Sequence, residues 1–292
     1  MAENGTASAN KAYFNKLAAE YDTKYEKTIL QLEKEIRKRK DFIGADWVID
    51  DDDDDDSESA AQSTAANGRS VRLLDYACGT GLISRALAQF TTHCVGIDIS
   101  ENMVAAYNAR AENQVRWKDD SDFCLVQGLT ADEMHAYQGN LTDPSDPAPA
   151  AFASDDGRFR DFDVAGVGLG FHHFEDPELS ARRLVERLRP GGVFIILDFL
   201  PHEKMDHALP AAHTVMHHGF SEERMRSIFE RAGAGGDFRM EELGSGVVFG
   251  GHGHGHGDGH GHGHGEEKEH DHGHGSGQGM KRRVFLARGT KA

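Results

Sequence analysis

The amino-acid sequence predicts an α/β fold with a seven-stranded, mostly parallel sheet covered by helices on both faces. Three observations predict it. Strand-like and helix-like segments alternate from residue 71 onward. In "LLDYACGTGLISRAL" (Leu73–Leu87) a strand runs directly into a glycine turn and a helix. The last two strand-like segments have no helical pattern between them, so we expect them to pair as an antiparallel hairpin.

The N-terminal segment is predicted to be helical from Lys11 to Ile43, after a frayed stretch over residues 1–10. Apolar side chains recur on one face with spacings of four, three and four residues, at Tyr25, Ile29, Leu32 and Ile36. Charged residues fill the opposite face. Such a pattern indicates one or two amphipathic helices that must dock on another part of the protein.

A sharp change in composition separates this segment from the rest of the chain. Seven consecutive aspartates, Asp50–Asp56, are followed by small polar residues. Like charges repel and nothing in this stretch can be buried, so residues 49–68 are predicted to form an acidic disordered linker. A divalent-cation site is disfavoured, because flexible polyaspartate lacks the fixed geometry of a calcium loop. The main domain is therefore predicted to span residues 69–292.

The secondary-structure elements of the main domain follow from hydrophobic patterns and capping residues. Four helices are predicted at 81–90, 101–111, 176–188 and 221–232. Ser100, Asp176 and Ser221 are their candidate N-caps, and Gly233 is expected to end the last one. Residues 137–157 are predicted to be loop, and "RPGG" (residues 189–192) to end the third helix. The strands are expected at 71–77, 93–100, 123–128, 162–170, 193–199, 238–249 and 282–289.

Composition and charge narrow the function classes. The chain has 292 residues, 38% of them apolar, and a formal net charge of −17. That charge disfavours nucleic acid as a partner. Cys78, Cys94 and Cys124 show no C-x-x-C spacing, which indicates reduced thiols in an intracellular protein. No apolar run is long enough for a membrane span and no secretory signal is visible. The expected location is the cytoplasm, with the nucleus as an alternative.

The glycine turn predicts a ligand that carries a ribose. Gly79 and Gly81 allow a close approach of the backbone and tight packing of the helix, and Asp98 ends the second strand about 20 residues later, where a carboxylate suits ribose hydroxyls. The turn lacks the third glycine of a dinucleotide site, has Ala77 in place of the first, and lacks the G-K-[ST] of a P-loop. Asp75 at its start would repel a pyrophosphate and attract a cation, which favours S-adenosylmethionine over NAD.

Several motifs in order carry a family resemblance. "LDYACGTG", "GIDIS", "FDVAGVGLGFHHFEDP" and "LRPGGVFIILDF" resemble the successive motifs of class I S-adenosylmethionine-dependent methyltransferases, closest in style to the small-molecule enzymes of ubiquinone and menaquinone biosynthesis. "YFNKLAAEYD" resembles the helical lid of that group, so residues 1–48 are expected to form a lid. The resemblance implies a Rossmann-like fold, S-adenosylmethionine as cofactor and a small organic methyl acceptor.

The same resemblance assigns roles to individual residues. His172 and His173 follow the fourth strand into the substrate side. After the third strand this chain has "QGLTADE", where the family often has an acid that meets the adenine amino group. The residues implied to bind the cofactor are Tyr21 with Tyr13 on the lid, Asp75, Ala77, Cys78, Gly79, Gly81, Asp98, Ile99, Met103, Gly128, Leu129, Gly168 and Leu169.

The expected reaction is an in-line methyl transfer in which the protein aligns the reactants and excludes water. His172 is the candidate general base, with His173, His202 and His217 as weaker candidates, although one histidine of the pair could simply pack in the loop. Cys78 is expected to be a small residue held against the backbone. "GLGFHH" lacks the Asn/Asp-Pro-Pro-Tyr motif, which disfavours DNA and glutamine N-methylation. The alternatives that stay open are a protein methyltransferase, a catalytically silent cofactor-binding subunit or metal-buffering interaction protein with a metal-binding His-rich loop, and an NAD-dependent oxidoreductase.

A Gly/His-rich insertion over residues 250–280 is predicted to be a disordered loop between the last two strands. Its nine histidines are ligands suited to zinc, nickel or copper. A biological metal role and a neutral insertion both remain open, and no metal is assigned to the catalytic site. The candidate adventitious ligands are His252, His254, His256, His260, His262 and His264, followed by His270, His272 and His274.

Overall fold

The computed structural model describes residues 5–48, 70–112, 129–146, 148–153, 156–204, 211–244, 246–249 and 280–292. Three predicted segments lie outside the described residues: the acidic linker, the strand at 123–128 and nearly all of the Gly/His-rich insertion. Gly128 and Cys124 are outside them as well.

A seven-stranded sheet forms the centre of the molecule, in the order β3-β2-β1-β4-β5-β9-β6. The first five strands in that order are parallel, and β9 is antiparallel to both β5 and β6. The predicted α/β class, mostly parallel and closed by an antiparallel C-terminal strand, is confirmed as a Rossmann-like sheet. The strands are β1 Arg72–Tyr76, β2 His93–Asp98, β3 Met134–Gln138, β4 Phe162–Gly168, β5 Leu188–Phe199, β6 Gly236–Glu242 and β9 Val284–Thr290.

The strand beside β2 was missed by the sequence analysis. Residues 137–157 were predicted to be loop, but Met134–Gln138 pairs in parallel with β2. Its side chains alternate, with Met134 and Ala136 buried and His135 exposed. Five residues at the edge of a sheet, including a histidine and a glutamine, carry a weak hydrophobic signal. The segment forms a strand because β2 supplies partners for its backbone hydrogen bonds, and the local sequence does not indicate this pairing.

Two other strand boundaries differ from the predicted ones. β5 begins at Leu188, so "RPGG" belongs to a strand with a register shift opposite Phe162 and does not lie between elements. The predicted strand at 238–249 is divided by Gly244 and Gly246, both with positive φ. Its second part, β7 Val247–Phe249, leaves the main sheet and pairs with β8 Met280–Arg282.

The helices flank the sheet largely as predicted. Their N-caps are confirmed: the Ser100 hydroxyl accepts from the Met103 N–H, and Asp176 and Ser221 accept from residues three positions on. Gly233 ends the last helix in the left-handed conformation. Within the described residues the helices are α1 Gly5–Arg37, α2 Lys40–Ile43, α3 Leu82–Leu87, α4 Glu101–Glu112, α5 Pro177–Glu186 and α6 Glu222–Ala232.

Helix α1 begins earlier than predicted. Residues 5–10, expected to be frayed, are helical because their end is fastened: Asn10 is buried, and its Nδ2 donates to the His173 carbonyl at 3.3 Å. Ile29, Leu32 and Ile36 are buried, which confirms the predicted apolar face. Among the described residues, no helix is long and apolar enough to cross a bilayer.

Polar contacts hold α1 across the carboxyl ends of the strands. Asp22 accepts from the Thr80 hydroxyl at 2.7 Å and forms an ion pair with Arg110 of α4. Glu33 pairs with Arg85 of α3. The Thr28 hydroxyl donates to the Val248 carbonyl at 2.6 Å, so α1 also contacts β7.

Candidate functional site

The candidate site lies where the strand order reverses. β1 and β4 are neighbours in the sheet, but the chain continues outward from them in opposite directions, which is where open α/β sheets bind ligands. The residues after these strands, Ala77 and Leu169, have φ of 52° and 56°. The two turns touch, since a Cβ on Gly170 would lie 3.0 Å from the Ala77 Cβ. Strained backbone at two adjacent strand ends is typical of a functional site.

A cavity of about 700 Å³ opens at this end of the sheet, with α1 as its roof. This volume is in the range of small-molecule sites. Most of the residues predicted from the sequence line it. Those predicted for the cofactor side are Tyr21, Ala77, Cys78, Gly79, Asp98, Ile99, Met103, Gly168 and Leu169, and those on the substrate side are His172, His173, His202 and His217.

Asp98 presents its carboxylate to the cavity in a fixed orientation. One oxygen, Oδ2, accepts from the Gly79 N–H at 2.9 Å, and Oδ1 accepts from the Ser100 N–H at 2.8 Å. The side chain is 8% exposed, and burial raises its pKa. Each oxygen keeps a second lone pair, so the carboxylate can still accept hydrogen bonds from two hydroxyl groups of a ligand.

Asp75 does not line the cavity, contrary to the sequence interpretation. It is 1% exposed, and its Oδ2 accepts from the backbone N–H and the hydroxyl of Ser84, at 2.9 and 2.8 Å. Its Oδ1 has no partner among the described residues. Asp75 therefore fastens α3 to β1. Gly81 is also absent from the cavity wall: with φ of 96°, a Cβ there would lie 3.0 Å from the Tyr107 ring, so this glycine serves helix packing.

The wild type is expected to lose unfolding free energy as the pH rises, and Asp75→Asn should remove this loss. Burial raises the pKa of Asp75 from 3.8 to about 7, so the folded protein keeps a proton that the unfolded chain releases. The stability due to this proton is present below about pH 4 and is lost as the pH rises through about 7. Relative to the variant, the wild type should lose up to about 4 kcal/mol of unfolding free energy over this interval. Urea unfolding at several pH values measures the difference, and parallel curves would contradict it.

The end of β3 contributes residues that the sequence analysis did not find. Leu129, predicted to contact the cofactor, does not line the cavity and instead packs against the apolar cluster that includes Tyr107 and Met134. Asn140 and Thr142 line the cavity after β3, and the Tyr76 hydroxyl donates to Asn140 Oδ1 at 3.0 Å. Burial raises the pKa of Tyr76 to about 12. These residues were missed because β3 itself was missed.

His172 is held by a buried carboxylate at the end of β5. Its Nδ1 lies 2.9 and 3.1 Å from the two oxygens of Asp198, and its backbone N–H donates to Asp198 Oδ2 at 3.0 Å. His172 is 6% exposed and Asp198 is fully buried. A carboxylate partner makes Nδ1 the N–H donor, which leaves Nε2 as the unprotonated nitrogen of the neutral ring. No described residue hydrogen-bonds Nε2.

The other histidines differ from His172 in their partners. His173 stacks on His172 with ring centroids 4.0 Å apart, and its Nδ1 donates to the Thr214 carbonyl at 2.7 Å. Burial, together with His172, lowers the pKa of His173 to about 3. The pKa values of His202 and His217 are lowered chiefly by burial, and each ring bonds to a backbone carbonyl. Burial thus favours the neutral form of all three rings.

The described cysteines, Cys78 and Cys94, are both buried. Burial raises the pKa of the Cys78 thiol well above its usual range, and a Cβ on Gly96 would lie 3.0 Å from its Sγ. A high pKa makes a thiol a poor nucleophile. Within the part of the chain that the structure describes, no group of three His, Cys, Asp or Glu side chains is placed to hold a metal ion.

The strand order, with the antiparallel β9 inserted between β5 and β6, is that of the class I methyltransferase fold. The chain matches the family described as methyltransferase domain over residues 18–235, and it belongs to this family. It is 26% identical over 166 residues to an uncharacterized methyltransferase, C1347.09, of Schizosaccharomyces pombe. That match covers 55% of this chain and 52% of the relative, so the chain spans about half the length of the curated relative it matches.

Solved structures show a likeness in fold. The YcgJ protein of Bacillus subtilis has a TM-score of 0.49 and 15% identity, covering 76% of this chain and 92% of that one. Phosphoethanolamine N-methyltransferase 2 of Haemonchus contortus, solved in complex with S-adenosyl-L-methionine, has a TM-score of 0.42 and 19% identity, covering 60% of this chain and 35% of that one.

Proposed function

We propose that the protein transfers a methyl group from S-adenosylmethionine to a small organic acceptor. The observation that carries this proposal is the Asp98 carboxylate, fixed at the switch point of the sheet on the wall of a covered cavity. Membership in the methyltransferase family supports it. Residues 1–48 would then act as a lid on a catalytic domain of residues 69–292, with α1 closing over both ligands.

The cavity wall fits an adenosyl compound. Gly79 has φ of 52° and open space where a Cβ would lie, so a ligand can approach its backbone closely. The free lone pairs of Asp98 suit the two hydroxyls of a ribose, and Ile99 and Met103 offer apolar surface beside it. Asn140 and Thr142 would face the adenine side, in place of Leu129. The Ala77–Gly79 turn with Gly168 and Leu169 would hold the methionine part.

The cofactor, when bound, supplies a methyl group on a positively charged sulfur that leaves as a neutral thioether. The task of the chain is to orient the acceptor, exclude water and take up a proton. Nε2 of His172 would accept the proton that the acceptor atom loses as its bond to the methyl carbon forms. Asp198 holds the ring in the tautomer needed for this step. His173 is a poor base because its pKa is lowered to about 3.

The shape of the cavity favours a small acceptor over a protein chain. Helix α1 contributes Asn10, Tyr13, Phe14, Tyr21 and Tyr25 to the cavity wall, so it covers the site. A polypeptide substrate would need this cover to be displaced along its length. A small molecule needs only a transient opening, such as lids provide in other enzymes.

Two measurements test this function. We expect S-adenosylhomocysteine to bind in isothermal titration and to raise the unfolding temperature, since a ligand stabilises the state that binds it. NAD should do neither, because its pyrophosphate would meet a site without the third glycine. Fractions of a cell extract incubated with radiolabelled S-adenosylmethionine should yield a labelled small product. Binding without label in any fraction supports a silent subunit, label on protein supports a protein methyltransferase, and protection by NAD supports an oxidoreductase.

A further inference from the structure

One arginine on the cavity wall forms no ion pair with a described carboxylate. Of the described residues that line the cavity, two are cationic at neutral pH, Arg224 and Arg282. Arg224 Nη1 lies 2.5 Å from Glu178 Oε1, so that charge is paired. Arg282 forms no ion pair with any residue in the described ranges. An unpaired cation in a partly buried position is costly, and an anionic ligand would compensate it.

Arg282 and His172 both line the cavity, and they lie in the same half of it, on the substrate side. It ends β8, and the next residue, Arg283, accepts the Leu200 N–H on its carbonyl at 3.0 Å, which places the end of β8 beside the end of β5. β5 carries Asp198, the partner of His172. His202 lies near both groups: its pKa is lowered chiefly by burial, and also by the proximity of Arg282 and His172.

A second polar atom in this half also lacks a partner. Asn10 is 9% exposed and lines the cavity, its Nδ2 donates to the His173 carbonyl, and its Oδ1 has no hydrogen bond among the described residues. Buried acceptors without partners are rare in folded proteins, and Asn10 Oδ1 lies on the cavity wall, where a donor group of a ligand would satisfy it. The half around His172 thus offers one unsatisfied acceptor and one unpaired cation.

Aromatic rings lie between these polar groups. The Phe199 ring lies 5.0 Å from the His172 ring and 5.8 Å from the His202 ring. Phe14 of α1 meets His173 edge to face at 5.3 Å. An aromatic surface of this kind suits a ligand with a planar apolar core and a polar group at each end.

None of the described acidic residues of the wall forms an ion pair with Arg282. Asp176 Oδ1 accepts from the Leu179 N–H as an N-cap. Asp143 Oδ1 accepts from the N–H and the hydroxyl of Ser145. Glu175 is exposed. Asp98 accepts from the Gly79 and Ser100 N–H groups on the cofactor side.

We propose that Arg282 binds an anionic oxygen group of the methyl acceptor, a carboxylate or a phosphate monoester, while the methyl-accepting atom faces His172. The planar fork of a guanidinium matches both groups through paired hydrogen bonds. This inference rests on the proposed function, because it takes the other half of the cavity to hold the cofactor. It narrows the acceptor class to aromatic or planar organic anions.

The test is a titration of the wild type saturated with S-adenosylhomocysteine. The probes are phenylacetate, phenyl phosphate and the neutral phenylacetamide. Each carries one phenyl ring, so they differ in charge and in the polar group. One anion should bind at least about tenfold more tightly than the amide, as expected for charge-assisted hydrogen bonds. The preferred anion distinguishes a carboxylate from a phosphate. Arg282→Gln should abolish the preference and leave the affinity for S-adenosylhomocysteine unchanged.

Arg283→Gln is the matched control. Arg283 is the next residue, its side chain is 68% exposed, and it pairs with Glu242 through two hydrogen bonds. This variant should keep the wild-type preference. Equal affinity for anion and amide, or binding of neither at millimolar concentration while S-adenosylhomocysteine binds, would overturn the role of Arg282. So would a loss of S-adenosylhomocysteine affinity in Arg282→Gln. If the cofactor product does not bind the wild type, the proposed function fails, and the anion preference is then measured on the free protein.

Discussion

Asp98→Ala is expected to weaken the binding of S-adenosylhomocysteine by at least about 100-fold, measured by isothermal titration. The variant removes two acceptor atoms for the ribose hydroxyls, and hydrogen bonds to a charged group contribute about 1.5–3 kcal/mol each. It also removes the acceptor that orients the Gly79 and Ser100 N–H groups, so the glycine turn loses a fixed support. Both effects weaken binding.

Two further variants separate binding from folding. Asp98→Asn keeps one oxygen but places an amide donor against a backbone N–H, so its affinity should fall as well, with less disturbance of the turn. Asp146→Ala removes an exposed acid outside the cavity and should bind as the wild type does. Thermal unfolding checks that each variant is folded. An Asp98→Ala protein that is folded and binds with wild-type affinity would refute the site assignment.

His172→Asn should lower kcat by at least about 100-fold, the usual contribution of a general base. Asparagine can present its amide N–H to Asp198 where Nδ1 stands, so the buried carboxylate keeps a donor while the proton acceptor at Nε2 is lost. The affinity for S-adenosylhomocysteine should stay within about twofold, since the base touches the acceptor and not the cofactor. The assay uses the acceptor fraction identified with radiolabelled cofactor.

Asp198→Asn tests the positioning of the ring. An amide at this place can present its NH₂ group to Nδ1 and stabilise the other tautomer, so kcat should again fall while cofactor binding persists. His93→Asn is the matched control for His172→Asn, because His93 is exposed at the start of β2. This variant should keep the wild-type kcat. An unchanged kcat in His172→Asn would show that the acceptor needs no base from this residue, and an effect on cofactor affinity alone would assign His172 to the cofactor side.

Local sequence features predicted much of the fold because each has a local physical cause. The N-caps at Ser100, Asp176 and Ser221 accept backbone N–H groups within three residues. Gly233 takes a positive φ that other residues resist. Edge elements were harder to predict. β3 has a short and partly polar sequence, and its pairing with β2 decides its conformation.

The candidate site was predicted in part. Asp98 and the glycine turn lie where their motif indicates. Asp75 does not, although it stands at the same end of the sheet. Successive side chains of a strand point to opposite faces, and the face that Asp75 takes is covered by α3, where Ser84 meets it. A motif gives the order of residues, but the layer packed on each face decides which of them reach a ligand.

Several groups at the site come from distant parts of the chain. His172 meets Asp198 across 26 positions, and Asn10 meets the His173 carbonyl across 163. Arg282 reaches the cavity only because β8 ends beside β5. No periodicity or spacing links these residues in the sequence.

Local patterns were enough to predict the main helices, the glycine turn and the position of Asp98, because caps, turns and hydrophobic periods act over a few neighbouring residues. Packing of the folded chain buries Asp75 under α3, places Asp198 against His172 and brings Arg282 to the cavity that His172 lines. These facts depend on which faces pack together, and packing joins residues through space at separations that no local pattern records.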